Sequence, residues 1–311
     1  MTTTHAVVAT AYGASDVLEF REVPIDGPAD GQVLIDVKAA GVNPIDWKLY
    51  SGAFGTDPAA IPMRLGLEIS GTVAAVGPGV DGVQPGDDVI AAGQIGGYAN
   101  QIVTTADQVF KKPASLSFNE AAGFLLTGQT AVHLLEATNV TEGDTVLIHG
   151  AAGGVGLLAT QLAKARGATV IATASAARHE QLRGYGAIPV EYGPGLQDRV
   201  SAIGSVDAAL DLVGTDEAAD VSLALVADKD RIATIAGFGR AATDGFKALG
   251  GGPGADAGTE IRLAARPELI RLAGNGELKV TIDRTYPLAE ARQAHEYVQT
   301  GHARGKVILL P

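Results

Sequence analysis

The sequence predicts an α/β protein of two domains, one mostly β and irregular, the other a doubly wound parallel sheet. Three observations carry that prediction. The chain has 311 residues, more than one ordinary domain packs around a single core and enough for two. Hydrophobic residues make up 46% but aromatics only 5%, so the core is built from Ala, Val, Ile and Leu, as in parallel sheets buried on both faces. The third observation is a change of pattern near residue 124, from short β-rich runs to alternating strands and helices.

From Ala6 to Ala122, runs such as "VLIDVKAAGV", "EISGTVAAVG", "DDVIAAG" and "ANQIVTTAD" are broken by Gly, Pro and Asp, which predicts short strands joined by irregular loops. After "SLSFNEAAGFLLTGQTAVHLLEAT" the chain repeats strand, turn and helix: "TVLIHG" then "LLATQLAKARG", "TVIATAS" then "RHEQLRGYG", "VDAALDLVG" then "EAADVSLALV", and "RIATIAGFG". Strands at that spacing make βαβ units with right-handed crossovers, hence an open parallel sheet. Residues 245–258, "GFKALGGGPGADAG", are too rich in glycine for regular structure and are expected to form a mobile loop, either a lid or a plain linker. The tail returns to strand, helix and strand in "LKVTIDRTYPL", "AEARQAHEYVQTG" and "KVILLP". Assigned to the first domain, it makes the parallel-sheet domain an insertion. The expected boundaries are residues 1–124 with 279–311 for the first domain and 125–278 for the second.

A formal net charge of −12 with no basic block counts against nucleic acid or an anionic membrane as partner. The absence of cysteine excludes disulfides, thiol nucleophiles and cysteine-ligated metal. "MTTTHAVVATAY" at the start lacks the basic segment and long apolar run of a leader, and no later stretch is apolar enough to span a bilayer; a cytoplasmic location is expected. His5, His133, His149, His179, His295 and His302 show no metal-ligand spacing, and His295 with His302 reads as a solvated surface pair on one helix face.

In residues 149–181, "HGAAGGVGLLATQLAKARGATVIATASAARHEQ", a glycine turn lies between a buried strand and an apolar helix, with a second strand following. That is the context a dinucleotide fingerprint requires; the alternative is a tight strand–helix turn of another α/β protein. In the G-x-G-x-x-G frame Ala151 takes the first glycine position, Gly153 admits a pyrophosphate and Gly156 lets helix and strand pack closely. The amides of Ala152, Gly153, Gly154, Val155 and Gly156, at a helix N-terminus, then face the phosphates. About 20 residues on, NAD enzymes place a carboxylate on the ribose 2′-hydroxyl. Here Ser175 and Arg178 stand instead and no carboxylate comes before Glu180, which suits the 2′-phosphate of NADPH. The alternative for Arg178 is a solvated residue at a helix start.

Taken with "AAGVNPIDWKLYSG", "LGLEISGTVAAVGPGV", "GGYANQIVTTADQVFKKPASLSFNEAAGFLLTGQTA" and "HARGKVILLP", the glycine segment resembles the zinc-free, zeta-crystallin-like quinone oxidoreductase branch of the medium-chain dehydrogenase/reductase superfamily. The resemblance spans nearly the whole chain. It implies a GroES-like catalytic domain, a Rossmann cofactor domain, a cleft between them, and NADPH-linked reduction of a small-molecule acceptor by a homodimer. Zinc alcohol dehydrogenases of that superfamily carry a cysteine where this chain has Asn43, and a His-Glu pair where it has Leu67 and Glu68, so no metal is expected. Without a Lewis acid, quinones and α,β-unsaturated carbonyls are the acceptors favoured. The resemblance also points to Asn43 as a contact to nicotinamide or acceptor, with Asp46 orienting its loop and Tyr50 as a hydrogen-bond or proton donor. Thr127 corresponds to the position that holds the nicotinamide carboxamide, and Tyr192 to one that meets the 2′-phosphate. Val213, Gly237 and Phe238 follow strand ends, where ligands of doubly wound folds bind. Loops near Phe54, 95–98 and 245–258 are expected to shape the acceptor pocket. The rival readings are an enoyl or enone reductase dedicated to one metabolite, and a non-catalytic NADPH-binding redox sensor.

Overall fold

The computed structural model describes residues 2–93, 96–252 and 254–311; Ile95, expected to help shape the pocket, lies outside them. The chain divides into two compact units, Met1–Leu126 with Ile270–Pro311, and Thr127–Leu269. The first unit begins with β1 (Thr2–Ala9), β2 (Leu18–Ile25), β3 (Gln32–Val42), β4 (Met63–Arg64), β5 (Glu68–Val76), β6 (Asp88–Ala92), β7 (Gln101–Thr105) and β8 (Val109–Lys111). β1 pairs antiparallel with β2 and β4. β3 organises the larger sheet, pairing antiparallel with β5 and with β7. Its first half buries alternate residues, Val33, Ile35 and Val37, and from Ala39 to Val42 it is buried throughout. A register shift between Val37 and Ala39 leaves Lys38 as an extra residue in β3, a bulge at the change between these two regimes. Gly41 has to be glycine: a Cβ there would run into the Ala122 carbonyl oxygen and lie 2.8 Å from Glu68 Oε1.

The second unit holds β9 (Thr145–His149), β10 (Thr169–Thr173), β11 (Ile188–Val190), β12 (Ala208–Asp211), β13 (Ile232–Thr234) and β14 (Lys247–Ala248). They lie in the order β11-β10-β9-β12-β13-β14, every pair parallel. Counted in chain order within this unit, that is 3-2-1-4-5-6, the Rossmann arrangement, whose strand order reverses between β9 and β12. Ligands of such sheets bind outside the carboxyl ends of the strands at that reversal. The helix Gly154–Ala165, which links β9 to β10, buries Leu158 and Leu162 one turn apart, the spacing that aligns side chains on one helix face.

Among the described residues of 245–258, one short strand and one bridge interrupt the irregular loop expected from their glycine content. β14 lies inside them, and Leu249 bridges to Asp256, with Gly250 N donating to Asp256 O at 2.7 Å and Asp256 N to Ala248 O at 2.8 Å. The Asp256 carboxylate reaches the buried His133 at 3.4 Å. A two-residue strand leaves too short an apolar run to register as a period, so glycine masked it. Pro253 lies outside the described residues.

The chain then returns to the first unit through β15 (Ile282–Pro287), the helix Ala291–Gln299 and β16 (Lys306–Leu310). β16 runs parallel to β15 and antiparallel to β3, with Val307 opposite Val42, completing a sheet ordered β15-β16-β3-β5-β6-β8. The units meet in sequence at 126/127 and 269/270, where the pattern placed changes at 124/125 and 278/279. The end of the helix Thr259–Gly274 goes with the first unit, and the Gly274 carbonyl accepts a 2.7 Å bond from Ser115 Oγ. Among the described residues no helix is long and apolar enough to cross a membrane.

Candidate active site

At the end of β9 the chain must reverse sharply to enter the helix Gly154–Ala165. Gly150 makes that turn with φ 73°, a conformation that suits glycine. The tight-turn glycine therefore stands one residue before Ala151, where the fingerprint frame placed it. Ala151 is fully buried and its N–H donates to Thr173 O at 3.1 Å, while Gly150 N donates to Thr173 Oγ1 at 3.2 Å. Beyond the turn, Gly153 is exposed and Ala152, Gly154 and Val155 are half-buried; the Gly153 N–H closes the turn on Gly150 O at 3.1 Å, and Gly153 and Gly154 add no side chain at the helix start. Amides in that position have no partner within the helix and attract anions. Gly156 is buried, and a Cβ on it would lie 2.5 Å from Gly150 O and 2.6 Å from Ala151 Cα.

Thr173 and Val190 are partners across β10 and β11, so Ser175 and Tyr192 each follow a strand end by two residues. Ser175 is half-buried and Tyr192 is 57% exposed. Arg178 is half-buried and its Nη2 donates to Ala152 O at 3.3 Å, which brings the guanidinium onto the glycine turn rather than out into solvent. Past β12, Val213 is 47% exposed. Gly237, past β13, is buried, and Phe238 opens the helix Phe238–Asp244 half-buried. Thr127 is buried in the helix Leu125–Ala137. Burial drives His149, at the end of β9, down to about 4 against the opposing charges of Asp211 and Glu217, so it is neutral; Ser222 Oγ lies 3.2 Å from its Nε2.

In the first unit, β3 ends at Val42 and Asn43 caps the helix Pro44–Tyr50, with Pro44 at the first helical position, where its missing N–H costs nothing. The Asn43 N–H donates to Asp46 Oδ2 at 2.8 Å, one half of a capping box. The Asn43 side chain is enclosed: Nδ2 donates to Glu68 Oε1 at 3.0 Å and Oδ1 accepts from Lys306 Nζ at 2.6 Å. Lys306 also donates to Glu68 Oε1 at 2.8 Å and to Val42 O at 3.2 Å, so all three ammonium protons are used. Glu68 Oε2 takes the Leu126 N–H at 2.9 Å. Asn43, Glu68 and Lys306 are at most 5% exposed, a buried ion pair with its hydrogen bonds complete.

A second buried chain starts from Asp46. Its Oδ2 also accepts from the Tyr98 hydroxyl at 2.8 Å, Tyr98 lies 3.2 Å from His295 Nε2, and His295 Nδ1 lies 2.9 Å from the Tyr50 hydroxyl. Because Tyr98 spends its one proton on Asp46, His295 donates from Nε2 and accepts at Nδ1 from Tyr50. Tyr50 is 1% exposed, so its hydroxyl is committed to His295. His295 itself is fully buried, which corrects the expected surface pairing with His302: the helix turns this residue to the core, where burial lowers the imidazole to about 4. Burial likewise raises the Asp46 carboxyl to about 7, against the lowering effect of Tyr98, the Asn43 N–H and Lys306. The pattern of the sequence singled out neither Lys306 nor His295 as a site residue, and reached Tyr98 only as the end of a loop expected to shape the pocket. The one available signal was a lysine inside the apolar strand "GKVILLP", a charge that has to find a buried partner.

A family model described as an alcohol dehydrogenase GroES-like domain matches residues 29–114, and one described as a zinc-binding dehydrogenase matches residues 190–309. A quinone oxidoreductase of Pseudomonas aeruginosa is 32% identical, over 97% of this chain and 98% of its own. The chain belongs to the quinone oxidoreductase branch of the medium-chain dehydrogenase/reductase superfamily. Like that family it is an NAD(P)-dependent oxidoreductase. Among solved structures of the superfamily, a mycobacterial protein complexed with NADPH superposes with a TM-score of 0.84 at 32% identity, covering 99% of this chain and 100% of that one. The CurK enoyl reductase superposes at 0.85 with 27% identity, covering 99% of each.

The zinc named in the family description needs three protein ligands at a catalytic site. The Asn43–Glu68 pair does not fit that ion. Lys306 already delivers a positive charge to both side chains, position 67 is a leucine, and among the described residues no group of three or more His, Asp or Glu is arranged to hold a metal.

Proposed function

We propose that the protein uses NADPH to reduce quinones or carbonyl compounds conjugated to a double bond, and does so without a metal. The observation that carries this reading is the Lys306 ammonium, bonded to Asn43 and Glu68 at the positions where zinc-dependent relatives keep metal ligands. A site without a Lewis acid works on acceptors that conjugation has already made electron-poor, with hydrogen-bond donors stabilising the developing anion. Bound NADPH supplies the hydride. The acceptor takes that hydride and one proton, so a quinone leaves as its hydroquinone and an enone as the saturated carbonyl.

In this reading the amides of 152–156 hold the pyrophosphate, and the exposed Gly153 supports it because its open face has no side chain to displace. Ser175, Arg178 and Tyr192 hold the 2′-phosphate, which the mycobacterial complex with NADPH also favours. Thr127, Val213, Gly237 and Phe238 orient the nicotinamide. Asn43, its side chain enclosed by Glu68 and Lys306, caps the turn that meets the acceptor, Asp46 fixes that turn through the Asn43 N–H, and Tyr50 supports Asp46 through His295 and Tyr98.

The likeness to an enoyl reductase supports a second reading, reduction of one dedicated enone. Both are tested by following NADPH oxidation after exhaustive chelation against a panel of quinones and enones. Acceptor-dependent oxidation that survives chelation is expected. Turnover lost on chelation and restored by zinc would overturn the metal-free reading. A single enone far superior to every quinone would establish the dedicated reductase, and cofactor binding with no acceptor-dependent oxidation would make the protein a sensor.

A further inference from the structure

We infer that Asp211 and Thr234 are positioning residues which lock together the turns proposed above to carry the nicotinamide; the inference rests on that NADPH reading. The two residues are the last of β12 and β13 and are direct partners across the ladder. Asp211 is 1% exposed and Thr234 is fully buried. Thr234 Oγ1 donates to Asp211 Oδ2 at 2.7 Å. Asp211 Oδ1 accepts from Val213 N at 3.0 Å and from Gly214 N at 2.8 Å, while Thr234 Oγ1 accepts from Ala236 N at 3.1 Å and from Gly237 N at 2.8 Å. One hydrogen bond between two side chains therefore joins the turn after β12 to the turn after β13.

The turns also touch directly. A Cβ on Gly214 would lie 2.9 Å from Gly237 N, and one on Gly237 would lie 3.3 Å from Gly214 Cα. A Cβ on Gly150 would lie 2.5 Å from Val213 Cγ1, so the glycine turn after β9 rests on the same assembly. All three turns stand at the carboxyl edge beside the reversal of strand order.

Val213 shows why this is positioning and not packing alone. It is a large apolar side chain 47% exposed, so core contacts do not fix its direction, and its own N–H is held by Asp211. A buried carboxylate is costly unless fully hydrogen-bonded. Here every donor recruited to it comes from these turns or from Thr234, and two apolar residues would fill the strand ends without fixing the turns.

The test compares wild type with Thr234→Val, Thr234→Ser and Asp211→Asn. Binding of NADPH, binding of adenosine 2′,5′-bisphosphate and kcat are measured for each. Adenosine 2′,5′-bisphosphate contains the 2′-phosphate end of the cofactor and lacks the nicotinamide. Thr234→Val removes the acceptor of two turn amides and should weaken NADPH about tenfold and lower kcat, with adenosine 2′,5′-bisphosphate bound as in wild type. Thr234→Ser should restore NADPH binding and kcat, and Asp211→Asn, whose single side-chain oxygen cannot serve both the turn amides and the Thr234 hydroxyl, should show the same split. Equal losses for both ligands, unchanged NADPH binding in Thr234→Val, or failure of the serine to restore it would each overturn the inference. Failure of the wild type to bind either ligand would instead overturn the NADPH reading, and this inference with it.

Discussion

Lys306 Nζ stands 2.6 Å from Asn43 Oδ1, held there by the pairing of Val307 with Val42. The same ammonium offsets the charge of Glu68, which is fully buried. Removing one partner of a buried pair leaves the other charge uncompensated, at a cost of roughly 3–5 kcal/mol, whereas replacing both with neutral groups costs far less. Lys306→Met should therefore lower the free energy of unfolding by about that amount, and adding Glu68→Gln should recover most of it. Urea unfolding of the two variants decides this. A Lys306→Met protein as stable as wild type would show that the pair contributes no net charge compensation.

Asp46 makes stability depend on pH. Its carboxyl titrates near 3.9 when unfolded and at about 7 when folded, so between those values the folded state binds more protons. The stability it contributes is complete below about pH 4, falls as pH rises to about 7, and amounts to on the order of 4 kcal/mol. His295 and His149, both driven by burial to about 4, act in the opposite sense, since their contribution is complete above about 6.5 and is lost as pH falls. The difference between wild type and Asp46→Asn cancels the histidines. Wild-type stability relative to the variant should fall from pH 5 to pH 8, read as the shift between their urea midpoints; parallel profiles would show that Asp46 is ionised in the folded protein.

The βαβ alternation made the parallel sheet legible because each strand is a continuous apolar run and each helix has its own period. β14 escaped, being two residues long within a glycine-rich segment. The glycine turn was legible to within one residue: strand and helix flank it unambiguously, but which glycine takes positive φ depends on where β9 stops hydrogen bonding. The Asn43 turn was legible as a place and not as a network. Glu68, Tyr98, His295 and Lys306 come from separate segments, and the pairing of β3 with β5 and β16, the backbone bonds of Tyr98 to Val7 and Leu65, and the packing of the helix Ala291–Gln299 bring them together.

Gly156 is fixed by backbone crowding. A methyl group there would meet Gly150 O and Ala151 Cα at 2.5 and 2.6 Å, and neither atom can swing aside as a side chain tip would. Gly156→Ala should destabilise the protein by about 1–3 kcal/mol and weaken NADPH binding, because relief requires the helix to move away from the turn whose amides are proposed to hold the phosphates. Thermal melting with and without NADPH reads both effects. A variant that melts and binds as wild type does would mean that the turn adjusts at no cost.

Arg178 tests cofactor choice. It follows β10 where NAD enzymes place a carboxylate, and its planar guanidinium donates to Ala152 O from Nη2. A hydrogen bond to a charged group contributes about 1.5–3 kcal/mol, and each 1.4 kcal/mol is about tenfold in affinity. NADPH should accordingly bind much more tightly than NADH to the wild type. Arg178→Ala should weaken NADPH about tenfold or more and leave NADH nearly unchanged, since only NADPH carries the phosphate that the guanidinium is proposed to meet. Dissociation constants for both cofactors, in wild type and variant, separate the outcomes. Equal losses would mean that the arginine acts by supporting the glycine turn through Ala152, and a wild-type preference for NADH would remove the 2′-phosphate from the site altogether.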